Sequence, residues 1–206
     1  TLKFLLAKIN NMRIFHLWAI FFVYASILSL TIQLIVLPLI FPSMHRGDGV
    51  MYGGDWVLYQ YWSQYYASFI SEHGWTYWEL RPQGFGLVGI VSAIYAFIGV
   101  FKPYVLIPIF AALHSLGSLC ILLLMQKLGV RRSVAFFSAL PYLVFPSSLL
   151  WVSQLMKDAF TLNASLIMLY GLVGLFSFLK VNSMKANIKN QLFLLAFIEF
   201  TFKKLN

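Results

Sequence analysis

Hydrophobic positions in this chain do not alternate with polar ones at a strand or amphipathic-helix period. They gather into long continuous runs, broken by short polar stretches that are mostly basic. Runs at 14–41, 104–126, 133–150 and 159–179 are each about as long as an α-helix that crosses some 30 Å of hydrocarbon, and a shorter one begins at 191–202. A sixth run, GFGLVGIVSAIYAFIGVF at 84–101, has eighteen residues and four glycines, at the lower limit for a span.

Positive charge decides how that sixth run lies, because Lys and Arg concentrate in cytoplasmic loops. If 84–101 crosses, Lys127, Arg131, Arg132, Lys180, Lys185 and Lys189 all fall outside. If it stays on one face, those six join Lys3, Lys8 and Arg13 inside. The second arrangement is preferred. The expected fold is therefore all-α: a polytopic transmembrane helix bundle whose large first external segment, 42–103, carries interfacial helices at 55–71 and 84–101.

Composition agrees with this pattern. A mean hydropathy of +0.81 with 10% charged residues excludes an ordinary soluble domain. The formal charge of +9 sits in short segments between apolar runs, so it reports membrane orientation and not a nucleic-acid surface. Cys120 is the single cysteine, so no intrachain disulfide forms. The basic start TLKFLLAKINNMRIF and the long run after it read as an uncleaved signal anchor. A first residue of Thr and an end in mid-pattern at FTFKKLN suggest a piece of a longer protein.

Within this apolar chain the acidic residues stand out. Asp55 opens an aromatic segment, GGDWVLYQYWSQYYASFI, where a carboxylate gains from the N-terminus of a helix. On spacing alone, an Asp after two glycines is more simply read as a helix cap. Trp56, Tyr59 and the rings after them suit an interfacial belt, or a stacking platform for sugar rings. Downstream, Glu72, His73, Glu79 and Arg81 fit no metal-binding spacing, and Arg81 lies where a lipid phosphate would sit. Lys157 and Asp158 stand at the start of the 159–179 run on the same expected side as Asp55, at a depth where charge is costly unless paired or used. His114 is read as a helix-packing group, and Asn163-Ala164-Ser165 as a sequon without meaning inside a helix.

The order of these parts resembles the N-terminal module of the GT-C superfamily of integral membrane glycosyltransferases. It has a basic start, one long helix, an external loop with an early Asp, a submerged helix introduced by RPQGFG, a basic turn QKLGVRR, and an external KD. The resemblance spans roughly residues 10–180 and includes the protein mannosyltransferase-like and aminoarabinose transferase-like branches. It implies a multi-pass protein of a cell membrane, such as a bacterial plasma membrane, with its active side extracytoplasmic. It also implies transfer of a sugar from a polyprenyl-phosphate donor to a lipid, glycan or protein acceptor. Asp55 would then be general base or acceptor-orienting acid, and Asp158 would position acceptor or a divalent metal. Lys157 and Arg81 would neutralise the departing phosphate, and Trp56, Tyr59, His73 and Glu79 would line the substrate. Many relatives carry an adjacent acid pair in the first loop, whereas Asp55 has no acidic neighbour closer than Asp48, which leaves metal dependence open. A non-catalytic protein for transport or polymerisation of lipid-linked saccharide, and a structural subunit in which both aspartates only cap helices, are the competing readings.

Overall fold

The computed structural model describes residues 2–180, with side chains over 7–176. The run expected at 191–202, with Glu199, lies outside the described residues. The described part is almost wholly helical. Helix α1 (Leu2–Asn11) breaks at Arg13, whose extended backbone (ψ 148°) starts α2 (Ile14–Thr31) in a new direction. Its end widens into π-helical turns over Ile32–Ile40, closed by Phe41 N–H donating to Val36 O at 3.1 Å. Pro38 lies inside this stretch and has no N–H to offer the ladder. A small hairpin follows, β1 (His45–Gly47) and β2 (Val50–Met51). Asp48 and Gly49 turn it with φ of +54° and +79°, the left-handed pair that a two-residue hairpin turn requires.

Helix α3 (Asp55–His73) and helix α4 (Gly86–Ile98) form in the ranges expected at 55–71 and 84–101, and the two pack on one another. The thirteen residues of α4 reach about 20 Å at 1.5 Å per residue, well short of the hydrocarbon thickness. Gly99 (φ +75°) ends the helix with a left-handed turn. Gly89 permits the close approach of α4 to the preceding loop, since a Cβ there would collide with the Leu80 carbonyl.

A single 3₁₀ turn, Pro103–Leu106, leads into α5 (Ile107–Lys127). The run expected as one span at 133–150 is interrupted at Pro146, the residue whose sequence signal ends a regular helix. It forms as α6 (Arg132–Val144) and α7 (Pro146–Ser153), bent by 58°. Pro146 supplies no N–H and pushes Phe145 out of the helical region (ψ 135°), so hydrophobicity continues while the helix does not. Helix α8 (Asp158–Lys180) completes the described chain. Ile14–Ile40, Pro103–Lys127 and Asp158–Phe176 are long and apolar enough to cross a membrane, and a fourth crossing results if the bent pair is one span.

Two buried clusters stack along the bundle. One joins Leu17 of α2, Leu119 and Leu122 of α5, and Ala135 and Ala139 of α6. The other joins Ala25 of α2, Tyr59 of α3, Val88, Val91 and Tyr95 of α4, Phe110 and Ala111 of α5, Val152 of α7 and Ala159 of α8. Helix α2 therefore runs antiparallel to α5. Helix α8 runs alongside α5 in the same direction, with Phe110 against Phe160 and Gly117 against Asn163. Residues near 12 and 132 lie at one end of the bundle, where the Arg132 guanidinium donates to Met12 O. The opposite end holds residues near 50 and 154.

Candidate active site

That second end is where polar chemistry collects. Gln154, 2% exposed, bridges the hairpin to α7: its amide donates to Gly49 O and its carbonyl accepts from Met51 N, both at 3.0 Å. Gln33, equally buried on the π-helical turns, donates to Ser153 O. Its side chain fills the space beside Gly49, where an added Cβ would lie 2.7 Å from the Gln33 Cβ. Trp56 Nε1 donates to Met51 O at 2.7 Å. These bonds fix the hairpin and the start of α3 against the bundle.

Asp55 is the first helical residue of α3, Gly54 occupies the capping position, and no side-chain capping bond is made. The carboxylate is exposed and takes no hydrogen bond or ion pair among the described residues. Asp55 therefore makes no capping hydrogen bond, while its place in the first turn of α3 still suits the helix dipole. Asp158 is likewise the first residue of α8, half-buried, and its carboxylate has no partner among the described residues, while Lys157 beside it is exposed.

Tyr59 connects the two. It lies one turn after Asp55 on the same face of α3, is 5% exposed, and sets its ring edge-on to Phe85 at 5.6 Å between centroids. Burial raises the pKa of its phenol, and the charges of Asp55 and then of Asp158 raise it further. Two aspartates 103 positions apart in sequence therefore converge electrostatically on one phenol. No hydrogen bond within the described residues occupies its hydroxyl.

The adjoining face of α3 borders a cleft of about 140 Å³ against the hairpin, lined by Arg46, Asp48, Gln60, Tyr61 and Gln64. Gln60 and Gln64 both donate to Phe101 O, at 3.3 and 2.8 Å, and Tyr95 donates to Gln60 Oε1 at 2.8 Å. Asp48, in the hairpin turn, pairs with Lys102, whose Nζ approaches it at 2.6 Å. With both partners nearly half exposed, that ion pair contributes little stability. Sequence reading missed the two glutamines. The available signal was their i, i+4 spacing, which places two amides on one helix face.

The remaining expected site residues are dispersed. His73 lies eighteen residues after Asp55 along α3, about 27 Å at 1.5 Å per residue, and stacks on Phe69 at 4.3 Å between centroids. Its Nδ1 also lies 3.2 Å from Phe69 O, so the ring belongs to the end of α3 and not to the aspartate cluster. Glu79 and Arg81 are exposed and form no ion pair among the described residues. The half-buried Trp56 ring packs against the core, so it is a poor stacking platform. His114 points its Nε2 at Leu143 O, 3.4 Å away, beside the Tyr142 ring, and Asn163 accepts from Tyr142 Oη at 3.1 Å. Both serve helix packing, which the sequence context suggests for His114 and not for Asn163.

Nowhere among the described residues do three His, Cys, Asp or Glu side chains gather as a metal site. Asp55 and Asp158 could offer a hard cation two carboxylates, fewer protein ligands than a resident Ca²⁺ site uses. Among the described residues the donor set does not amount to a protein-built metal centre. No protein-family model, no curated protein and no solved structure matches the chain, so the aspartate-flanked phenol at the polar end of the bundle is what carries a functional reading.

Proposed function

We propose that this chain belongs to a polytopic membrane glycosyltransferase that uses a polyprenyl-phosphate-linked sugar on the extracytoplasmic side. What supports the reading is that buried Tyr59, one turn from Asp55, packs in the same core cluster as Ala159, next to Asp158, at one end of a bundle of membrane-length helices. A lipid-borne donor presents its sugar at the membrane surface, and a reaction there needs ionisable groups at the helix ends.

In this reading Asp55 takes the proton of the acceptor hydroxyl as the acceptor oxygen bonds to the anomeric carbon. The bond from that carbon to the phosphate oxygen breaks, and polyprenyl phosphate leaves as an anion. Asp158 orients the acceptor, and Lys157 stabilises the phosphate charge; Arg81 is a further exposed cation for the same purpose. Tyr59, kept protonated by its surroundings, donates a hydrogen bond to substrate. The phosphate is already a good leaving group, so proton removal and charge stabilisation are the catalytic demands.

The test uses the full-length protein in vesicles, with undecaprenyl-phosphate-linked mannose and aminoarabinose as donors and radiolabel transfer as readout. Asp55→Asn and Asp158→Asn should each lower transfer about 10²-fold or more while folding is retained. Transfer at the wild-type rate by both variants overturns the assignment of these residues, and donor binding without any transfer by the wild type favours the transport reading.

A further inference from the structure

The basic end of the bundle carries a second feature that the aspartate cluster does not use. At the joint between α1 and α2 two open grooves meet, sharing Met12 and His16. The first, about 620 Å³, is lined by Lys8, Asn11, Arg13 and His16. The second, about 570 Å³, continues along α2 past Ala19, Ile20, Val23 and Tyr24.

The two grooves differ in chemistry at one boundary. Lys8 and Arg13 are exposed and have no carboxylate partner among the described residues, whose acids Asp48, Asp55, Glu72, Glu79 and Asp158 all belong to the 42–103 segment or the start of α8. In the second groove Ile20 and Val23 are each 51% exposed on a helix long and apolar enough to cross a membrane. From His16 to Tyr24 the trough runs about 12 Å at 1.5 Å per residue. A ligand that fits both parts has an anionic head and an apolar tail. The joint is also held in place, because Arg132 of α6 donates to Met12 O at the end of α1.

We propose that the α1–α2 joint binds one anionic phospholipid, its phosphate held by Lys8, Arg13 and His16 and an acyl chain laid along Ile20 and Val23. This site is independent of the proposed transfer chemistry, and of the donor lipid expected at the opposite end.

Native mass spectrometry of the full-length protein with phosphatidylglycerol, phosphatidylcholine and inorganic phosphate tests it. One phosphatidylglycerol should be retained over phosphatidylcholine by about 30-fold or more. Lys8→Gln with Arg13→Gln should cut that preference about 30-fold, the effect of two cations at ~1 kcal/mol each near a membrane surface. Both side chains are exposed, so folding is not at stake. Val23→Trp, which fills the trough, should weaken phosphatidylglycerol retention and leave inorganic phosphate unaffected. Equal retention of the two lipids, no change in the double variant, or inorganic phosphate competing as well as phosphatidylglycerol would each overturn the proposal. So would cross-linking of the trough to another segment of the protein in lipid-bound samples.

Discussion

Tyr59 is buried among apolar side chains yet looks toward two carboxylates, and both conditions disfavour its ionised form. Its titration is therefore a gauge of where Asp55 and Asp158 stand. In protein labelled at the tyrosine Cζ carbon, with the Tyr59 resonance assigned through Tyr59→Phe, the phenol should titrate above 10.0. Asp55→Asn and Asp158→Asn should each move that titration down, and the double variant should move it furthest. The linkage has a definite sign. A raised pKa in the folded state leaves stability unchanged below the unfolded value of 10.0 and removes it as pH rises beyond that, so Tyr59→Phe should blunt alkaline unfolding. A titration indifferent to both aspartates would separate them in space. At this scale Asp55 and Asp158 were legible because acids are rare in so apolar a chain. Tyr59 was one ring among many, since sequence does not say which of several tyrosines a distant helix end will approach.

Helix α4 is the element on which the sidedness of the site depends. Its thirteen residues are too short to span, but length alone does not say on which face its two flanks emerge. Cysteines placed at Glu79 and Lys102, in a Cys120→Ser background, report this directly. Glu79 is exposed, Lys102 is partly exposed, and the native thiol is buried. A membrane-impermeant maleimide should label both new cysteines from the same side. Labelling from opposite sides would make α4 a crossing and place Asp55 and Asp158 on different faces. The fate of the run at 133–150 is the counter-example in reading elements. Hydropathy averages over a window and cannot register that Pro146 removes one N–H and bends the path by 58°. The bend shapes the polar end, because it brings Ser153 O to the Gln33 amide and Gln154, just past α7, to Gly49 O and Met51 N. Gln154 was visible in sequence only as a polar residue near a membrane edge. Its role needed the hairpin to be in place.

Across the whole molecule, the apolar runs contained most of the described helices, because burying backbone polar groups in hydrocarbon leaves helices as the simplest solution. What they did not contain is the lateral packing that sets the distance between Asp158 and α3. That distance depends on how α8 docks against α5. The docking rests on Gly117, whose missing side chain makes room for the buried Asn163, itself bonded to Tyr142 at 3.1 Å and to Ala159 O at 2.5 Å. A larger residue at 117 must push against Asn163 and the nearby Tyr142 ring, not into open space. Gly117→Leu should therefore cost about 1–3 kcal/mol by overpacking. More tellingly, it should shift α8 outward and weaken the effect of Asp158 on Tyr59 while leaving Asp55, on the same helix as the phenol, in place. The expected result is a partial fall in the Tyr59 titration that Asp158→Asn does not deepen and Asp55→Asn still does. A full response to Asp158→Asn in the Gly117→Leu background would mean that α8 is positioned by α7 and the 154–157 turn alone, with the helix interface playing no part in assembling the site.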